Sequence, residues 1–252
     1  MRKVLSILYF PYKWLVFFPL LAINTIVFGI IAVLVSTLIN QRIGSFWGGV
    51  VWSRFNAYLT PVIVKVKGRE NITKGQSYII APNHQSMYDI FVLYGWLGLD
   101  IKWIMKKELR KIPGVGFGSA KVGHIFLDRS NQRAAIESLN EAKKKLVNGT
   151  SVVIFPEGTR SKSGKLLPFK RGAFKLAIDL GLPIIPVTIV GTRRIMPAQN
   201  PLRLLPGKAE IQIHAPIHVD NSNEENINEL MGKVKEVIES GLPNVKNYYK
   251  TN

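Results

Sequence analysis

The chain contains no cysteine. That excludes disulfides, thiolate metal sites and a cysteine nucleophile, and it fits a reducing compartment. Acidic residues are scarce: 16 Asp and Glu stand against 34 Lys and Arg, a formal net charge of +18. Such a surface attracts polyanions, whether nucleic acid, anionic lipid headgroups or an acidic protein. Stripes of Arg and Lys interleaved with aromatic stacking residues are missing, which argues against single-stranded nucleic acid. No Gly-x-Ser-x-Gly is present, so a serine acyl-enzyme has no nucleophile elbow. No His-Glu-x-x-His is present either. His214 and His218 are four apart, but Pro216 between them excludes a regular helix and with it the usual metal-ligand pair. The chain has no internal repeat and no low-complexity tract.

Charge is also absent from residue 14 to residue 41, a stretch of 28 residues. A spanning helix needs about 20. Arg2, Lys3 and Lys13 precede the run and Arg42 follows it. The run is too long for a signal peptide and lacks a small-x-small cleavage site. Pro19 and Asn24-Thr25 interrupt it, which predicts a bent or re-entrant anchor. Ile43, Phe46, Trp47, Val50, Val51, Phe55, Tyr58 and Leu59 then recur at helical spacing. This predicts an interfacial helix, with Trp47, Trp52 and Tyr58 at the headgroup level.

Pro61 marks the expected boundary between an N-terminal anchoring segment, 1–60, and a catalytic domain, 61–252. Beyond it, short apolar runs alternate with helical periods. Strands are predicted at 62–67, 78–81, 102–105, 125–127, 152–155 and 184–190, with an edge strand at 209–214. Helices are predicted at about 132–147, 172–180 and 224–239. The alternation indicates an α/β fold, a mostly buried central sheet flanked by helices.

Four blocks carry the chemistry. The first is Asn83-His84-Gln85-Ser86-Met87-Tyr88-Asp89, directly after a predicted strand. On one continuous helix, positions 84 and 89 would point about 140° apart. They meet only if the helix starts after His84, and Ser86-Met-Tyr-Asp89 has the form of a capping box that would start it there. Asp89 would then lie in the first turn, ionised by the helix dipole, and could orient and stabilise an imidazole base. Four His and five Asp in 252 residues produce the spacing by chance at a frequency of roughly 0.08, so spacing alone is weak. A strand-to-helix turn is, however, where α/β sites form.

The second block, Gly123-His-Ile-Phe-Leu-Asp-Arg129, is a strand ending in a cation. The third, Phe155-Pro-Glu-Gly-Thr-Arg-Ser161, is a strand broken by Pro156 and Gly158, with Glu157, Thr159 and Arg160 expected at the tip of the turn. Guanidinium groups bind phosphate through paired donors, and both Arg129 and Arg160 follow strand ends. The fourth, Leu182-Pro-Ile-Ile-Pro-Val187, is chemically inert and can serve only as a wall or a sheet edge. Gly114-x-Gly-x-Gly118 lacks a preceding strand and reads as a flexible turn rather than a dinucleotide loop.

Together these blocks resemble the glycerolipid acyltransferase family, of which 1-acyl-glycerol-3-phosphate acyltransferases are the bacterial type. The family pattern is His-x4-Asp, Gly-x-x-Phe-[Ile/Leu]-x-Arg, Phe-Pro-Glu-Gly-Thr-Arg-Ser and a Pro-containing apolar block. All four occur in order over about residues 83–187, and the third matches at every position. Lys106 matches a lysine commonly found between the first two blocks. The resemblance implies transfer of a fatty acyl group from an acyl thioester, on acyl carrier protein or coenzyme A, to the free hydroxyl of a lysophospholipid. With 1-acyl-glycerol-3-phosphate as acceptor the product is phosphatidic acid. It implies His84 and Asp89 as the catalytic pair and a phosphate site of Arg160 and Arg129, helped by Lys106. Gly158 and Thr159 would belong to that turn, and Glu157 would position the glycerol. No cofactor or metal is implied, because a thioester is already activated. The expected partners are membrane phospholipid, lysophospholipid and the thioester donor rather than nucleic acid, with the catalytic domain on the cytoplasmic side of a membrane. The alternatives are a different lysolipid acceptor, or a non-catalytic basic protein bound to the membrane.

Overall fold

Lacking charge and rich in Leu, Ile, Val and Phe, the N-terminal run satisfies its backbone as helix. The computed structural model describes residues 2–112, 115–128, 146, 149–200, 202–219 and 226–243. The helix predicted at about 132–147 therefore lies, apart from Leu146, outside the described residues, as does Arg129. Helix α1 (Arg2–Tyr12) runs through a wide π-helical turn (Lys13–Phe17) into α2 (Phe18–Leu38). Pro19 follows closely on the π-helical turn, and such local widening is how a continuous apolar helix accommodates a residue without an N–H. Ile7–Leu38 is long and apolar enough to cross a bilayer, and Leu15, Ile23, Ile30 and Leu38 are exposed along it.

The expectation that Asn24 and Thr25 break this helix is overturned. Thr25 Oγ1 donates to Leu21 O (2.6 Å), folding its hydroxyl back on its own helix. Asn24 and Asn56 exchange reciprocal amide bonds of 3.0 and 3.1 Å, and both are buried. A polar pair read as an interruption is thus a tertiary contact, because each amide satisfies the other out of water. The chain reverses instead at Ile39–Asn40. Asn40 Oδ1 accepts from the Ile43 N–H (2.9 Å) and caps α3 (Gln41–Ser45). A second wide turn (Phe46–Val51) leads into α4 (Trp52–Leu59). The returning limb lies close on α2: a Cβ on Gly48 would fall 2.5 Å from the Ala32 Cβ. Trp47 and Tyr58 are exposed as expected. Trp52 is half-buried instead. Its ring packs on Phe91 and its indole Nε1 donates to Thr25 Oγ1 (3.1 Å), because the returning limb turns that face toward α2 and the domain.

Seven strands follow: β1 (Val62–Lys67), β2 (Ile79–Pro82), β3 (Asp100–Lys106), β4 (Ile125–Leu127), β5 (Thr150–Val153), β6 (Ile184–Val190) and β7 (Gly207–Ile213). They form one sheet in the order β1-β7-β6-β2-β5-β3-β4. Every neighbouring pair is parallel except β6 and β7. One expectation fails here. β7 is interior, flanked by β1 and β6, because the alternating Val62–Lys67 segment adds outside it. Of the two alternatives for the fourth block, wall or sheet edge, the edge is excluded. The block opens β6, whose residues are almost all buried between β7 and β2. The strand expected at 152–155 ends at Val153, although the Ile154 N–H still donates to Ile80 O (3.0 Å) before the turn at Pro156–Glu157.

Side chains alternate across the sheet and build two cores. Ile80 and Ile185 join Phe17, Ala57 and Leu93 on one face. Ile79 and Ile184 join Phe174, Leu176, Val234 and Ile238 on the other. The first face is covered by α5 (Tyr88–Trp96) and the N-terminal hairpin. The second is covered by α7 (Gly172–Leu180) and α9 (Ile227–Ser240). Between these helices in sequence come two short ones, α6 (Gly116–Lys121) and α8 (Thr192–Ile195). The glycine-rich stretch read as a flexible turn forms α6 from Gly116 onward. Its small residues permit close packing, and a Cβ on Gly118 would sit 3.5 Å from Gly29 Cα of α2.

Candidate active site

Strands β2 to β6 are parallel, so their carboxyl ends share one edge of the sheet. That edge is where α/β folds place their ligands. His84 follows β2, Lys106 ends β3, and the turn from Phe155 to Ser161 follows β5. Helix α5 begins at Tyr88, after His84, as the geometry of the first block demands.

His84 Nδ1 lies 2.8 Å from Asp89 Oδ2. The same oxygen accepts from the N–H groups of Gln85 (2.8 Å) and Ser86 (2.9 Å). Three donors converge on it, and Asp89 is wholly buried in the first turn of α5. The expected capping box is only half formed. Asp89 reaches back to the Ser86 N–H, while Ser86 Oγ accepts from Tyr88 N–H (2.9 Å) and donates to Met196 O (2.5 Å). A carboxylate acceptor puts the imidazole proton on Nδ1 and leaves Nε2 as the basic nitrogen.

The third block holds this pair in place. Phe155 stacks on the imidazole with ring centroids 3.7 Å apart and planes inclined by 17°. Ser161 N–H donates to His84 O (2.7 Å). Glu157 departs from its expected place at the tip of the turn. It is buried, with Oε1 accepting from the His84 N–H (2.7 Å) and Oε2 from the Leu167 N–H (2.9 Å). Burial pushes its carboxyl above the ordinary value, while the Leu167 and His84 N–H groups pull the other way. Both oxygens are spent on backbone, so Glu157 fixes the His84 loop. Sequence spacing shows a carboxylate in a turn but not which way it faces.

A cavity of about 650 Å³ opens beside His84, within the range of small-molecule sites. Gly158, Thr159, Arg160 and Lys106 line it together with His84. The expected site residues within the described chain therefore converge, with Glu157 behind them. One guanidinium nitrogen of Arg160, Nη1, is buried with no hydrogen-bond partner among the described residues. The walls are Ile104, Met105, Val153, Ile154, Phe155 and Trp103 from the sheet side, and Leu109, Ile112, Val115 and Val122 opposite. Thr25, Gly29 and Ala32 of α2, with Gly48 and Trp52 of the returning limb, complete it. Sequence reading missed two of these contributions. Phe155 was visible only as the start of a motif, and the hairpin registered as an anchor rather than as cavity wall.

Among the described residues no group of three or more His, Asp or Glu could hold a metal ion. His214, one of the two spaced histidines, shares a 2.9 Å hydrogen bond with Thr188 Oγ1 on the far side of the sheet from that cavity's lining.

Residues 63–190 match the acyltransferase family model. The chain is similar to the chloroplastic 1-acyl-sn-glycerol-3-phosphate acyltransferase of Brassica napus, with 38% identity over 154 residues, 61% of this chain and 44% of the relative. The chain thus spans less than half the length of that relative. A 1-acyl-sn-glycerol-3-phosphate acyltransferase of Cocos nucifera shares 34% identity over 224 residues, covering 88% of this chain and 71% of the relative. The crystal structure of the 1-acyl-sn-glycerophosphate acyltransferase PlsC from Thermotoga maritima superimposes with a TM-score of 0.78 at 32% identity, covering 100% of this chain and 99% of that one. With its four sequence blocks gathered round one cavity and these matches along its length, the chain belongs to the acyltransferase family.

Proposed function

We propose that this protein transfers a fatty acyl group from an acyl thioester to the free hydroxyl of 1-acyl-glycerol-3-phosphate, giving phosphatidic acid. The observation that carries the reading is the His84–Asp89 pair at a largely apolar cavity that Lys106 and Arg160 also line. His84 Nε2 takes the proton of the acceptor hydroxyl as its oxygen attacks the thioester carbonyl. The carbon–sulfur bond then breaks, and the imidazolium returns the proton to the leaving thiolate. Asp89 holds the tautomer and stabilises the transient imidazolium. Glu157 acts behind this pair, through the two backbone bonds that set the His84 loop. Arg160, Thr159 and Lys106 face the acceptor phosphate; Arg129, outside the described residues, belongs to this reading only through the family resemblance of the second block. The carrier of the thioester is acyl carrier protein or coenzyme A.

Assays of the purified protein across phosphorylated and neutral lysolipids, each with both thioester donors, test this directly. Phosphatidic acid should form fastest from 1-acyl-glycerol-3-phosphate. A faster reaction on a lysolipid with another headgroup would replace the acceptor, and no transfer on any pair would end the proposal.

The N-terminal 60 residues form the membrane-anchoring part of this reading. The hairpin of α2 and residues 41–59 reverses at an exposed apolar tip, with Leu38 and Ile39 both exposed. Tyr12 Oη donates to Leu59 O (2.9 Å), so the start and the end of the hairpin lie side by side. That arrangement favours re-entry into one leaflet, with the catalytic domain on the cytoplasmic face. Single cysteines at Arg2 and at Lys74, an exposed turn position after β1, in a chain with none of its own, should then both react with a membrane-impermeant reagent from the cytoplasmic side. Labelling from opposite sides would establish a span.

A further inference from the structure

We propose that Lys170 supplies a further cation, in addition to Lys106 and Arg160, to the seat for a substrate phosphate at the cavity mouth. The assignment rests on the acyl-transfer reading above. It starts from the path of residues 161–170, which leave the third block and return to it. Ser161 N–H donates to His84 O (2.7 Å) at the departure. Ser161 Oγ then accepts from Gly164 N–H (3.1 Å) and donates to Lys165 O (2.5 Å), and Gln85 Nε2 reaches Gly164 O (3.3 Å). The return is made on Leu167 N–H to Glu157 Oε2 (2.9 Å) and Lys170 N–H to Pro156 O (2.8 Å). Both feet of the excursion are therefore fastened to the first and third blocks. Its last residue is delivered beside the turn that carries Arg160.

The Lys170 side chain runs across Gly158. A Cβ at Gly158 would lie 2.9 Å from both Lys170 Cδ and Cε and 3.1 Å from its Nζ. Glycine is required there twice, for the positive φ of 69° and for the room the lysine stem occupies. Gly158 itself lines the cavity together with His84 and Arg160. Lys170 is exposed, and the described residues place no carboxylate within ion-pair distance of it. Lys106 and Arg160 line the cavity that Gly158 lines, so a cation lying across Gly158 adds to the local potential and favours a multiply charged anion over water. The chemistry recognised is a phosphate group. It belongs either to the lysolipid acceptor, as a monoester, or to the phosphopantetheine arm of the donor, a diester on acyl carrier protein and a diphosphate in coenzyme A.

Steady-state kinetics of Lys170→Met and Lys170→Arg, with each substrate varied in turn, separate the sources. Loss of one charge-assisted contact at an exposed cation is expected to raise one KM by about tenfold. Lys170→Arg should restore most of it, and kcat should change little. A rise in the acceptor KM, absent with a phosphate-free monoacylglycerol acceptor, assigns the lysolipid phosphate. A rise in the donor KM with every acceptor assigns the phosphopantetheine phosphate. Unchanged kinetics in Lys170→Met, or an equal fall in kcat with both KM values held, would overturn the assignment and leave the acyl-transfer reading standing. A wild-type protein inactive with every acceptor and donor would overturn both.

Discussion

His84→Ala is expected to lower acyl transfer by about 10²–10⁴-fold, the usual share of a positioned acid–base group, while the protein stays folded. The imidazole makes one strong side-chain bond, to Asp89, and one stacking contact, with Phe155. The His84 bonds that hold the loop, to Glu157 and from Ser161, use backbone atoms that alanine retains. Thermal unfolding should therefore move little. Asp89→Asn should also cost heavily, by up to about 10⁴-fold, since an amide neither fixes the tautomer nor offsets the imidazolium charge. It also touches the Gln85 and Ser86 N–H groups, so its effect on folding should exceed that of His84→Ala. Single-turnover rates with saturating donor, paired with circular dichroism, decide the matter. A folded His84→Ala protein with near-normal turnover would remove the histidine from the mechanism.

Deleting residues 1–60 is expected to destroy the folded protein, not to release a soluble catalytic domain. Phe17 and Ala57 are fully buried, in the same core as Ile80, Leu93 and Ile185 of the sheet face. The hairpin also supplies Thr25, Gly29, Ala32, Gly48 and Trp52 to the cavity wall. Removing it would bare that face at about 25 cal/mol per Å² of apolar surface and open the cavity to water. The truncated chain should aggregate or lack a cooperative unfolding transition, and detergent-dispersed acceptor should not rescue its activity. A monomeric 61–252 fragment that unfolds cooperatively and turns over dispersed acceptor at the full rate would show that the hairpin is an anchor only.

The sequence by itself determined the local chemistry of this protein. The uncharged run reads as helix, the apolar runs before His84, before Lys106 and before Pro156 read as buried strands, and a meeting of His84 with Asp89 required a helix starting after His84. These follow from periodicity, charge and turn residues, which act over a few positions. Tertiary structure decided the remainder. Asn24 faces inward because Asn56 arrives opposite it from 32 residues away. Trp52 is half-buried against Thr25 and Phe91 because the hairpin folds back on the sheet. Gly207–Ile213 lies inside the sheet because Val62–Lys67 pairs outside it. Glu157 turns away from the tip of its loop because two backbone N–H groups, from His84 and Leu167, meet there and need its oxygens. Each outcome depends on a partner distant in the chain, and the direction in which a polar side chain points is settled by whichever group can satisfy it once water is excluded.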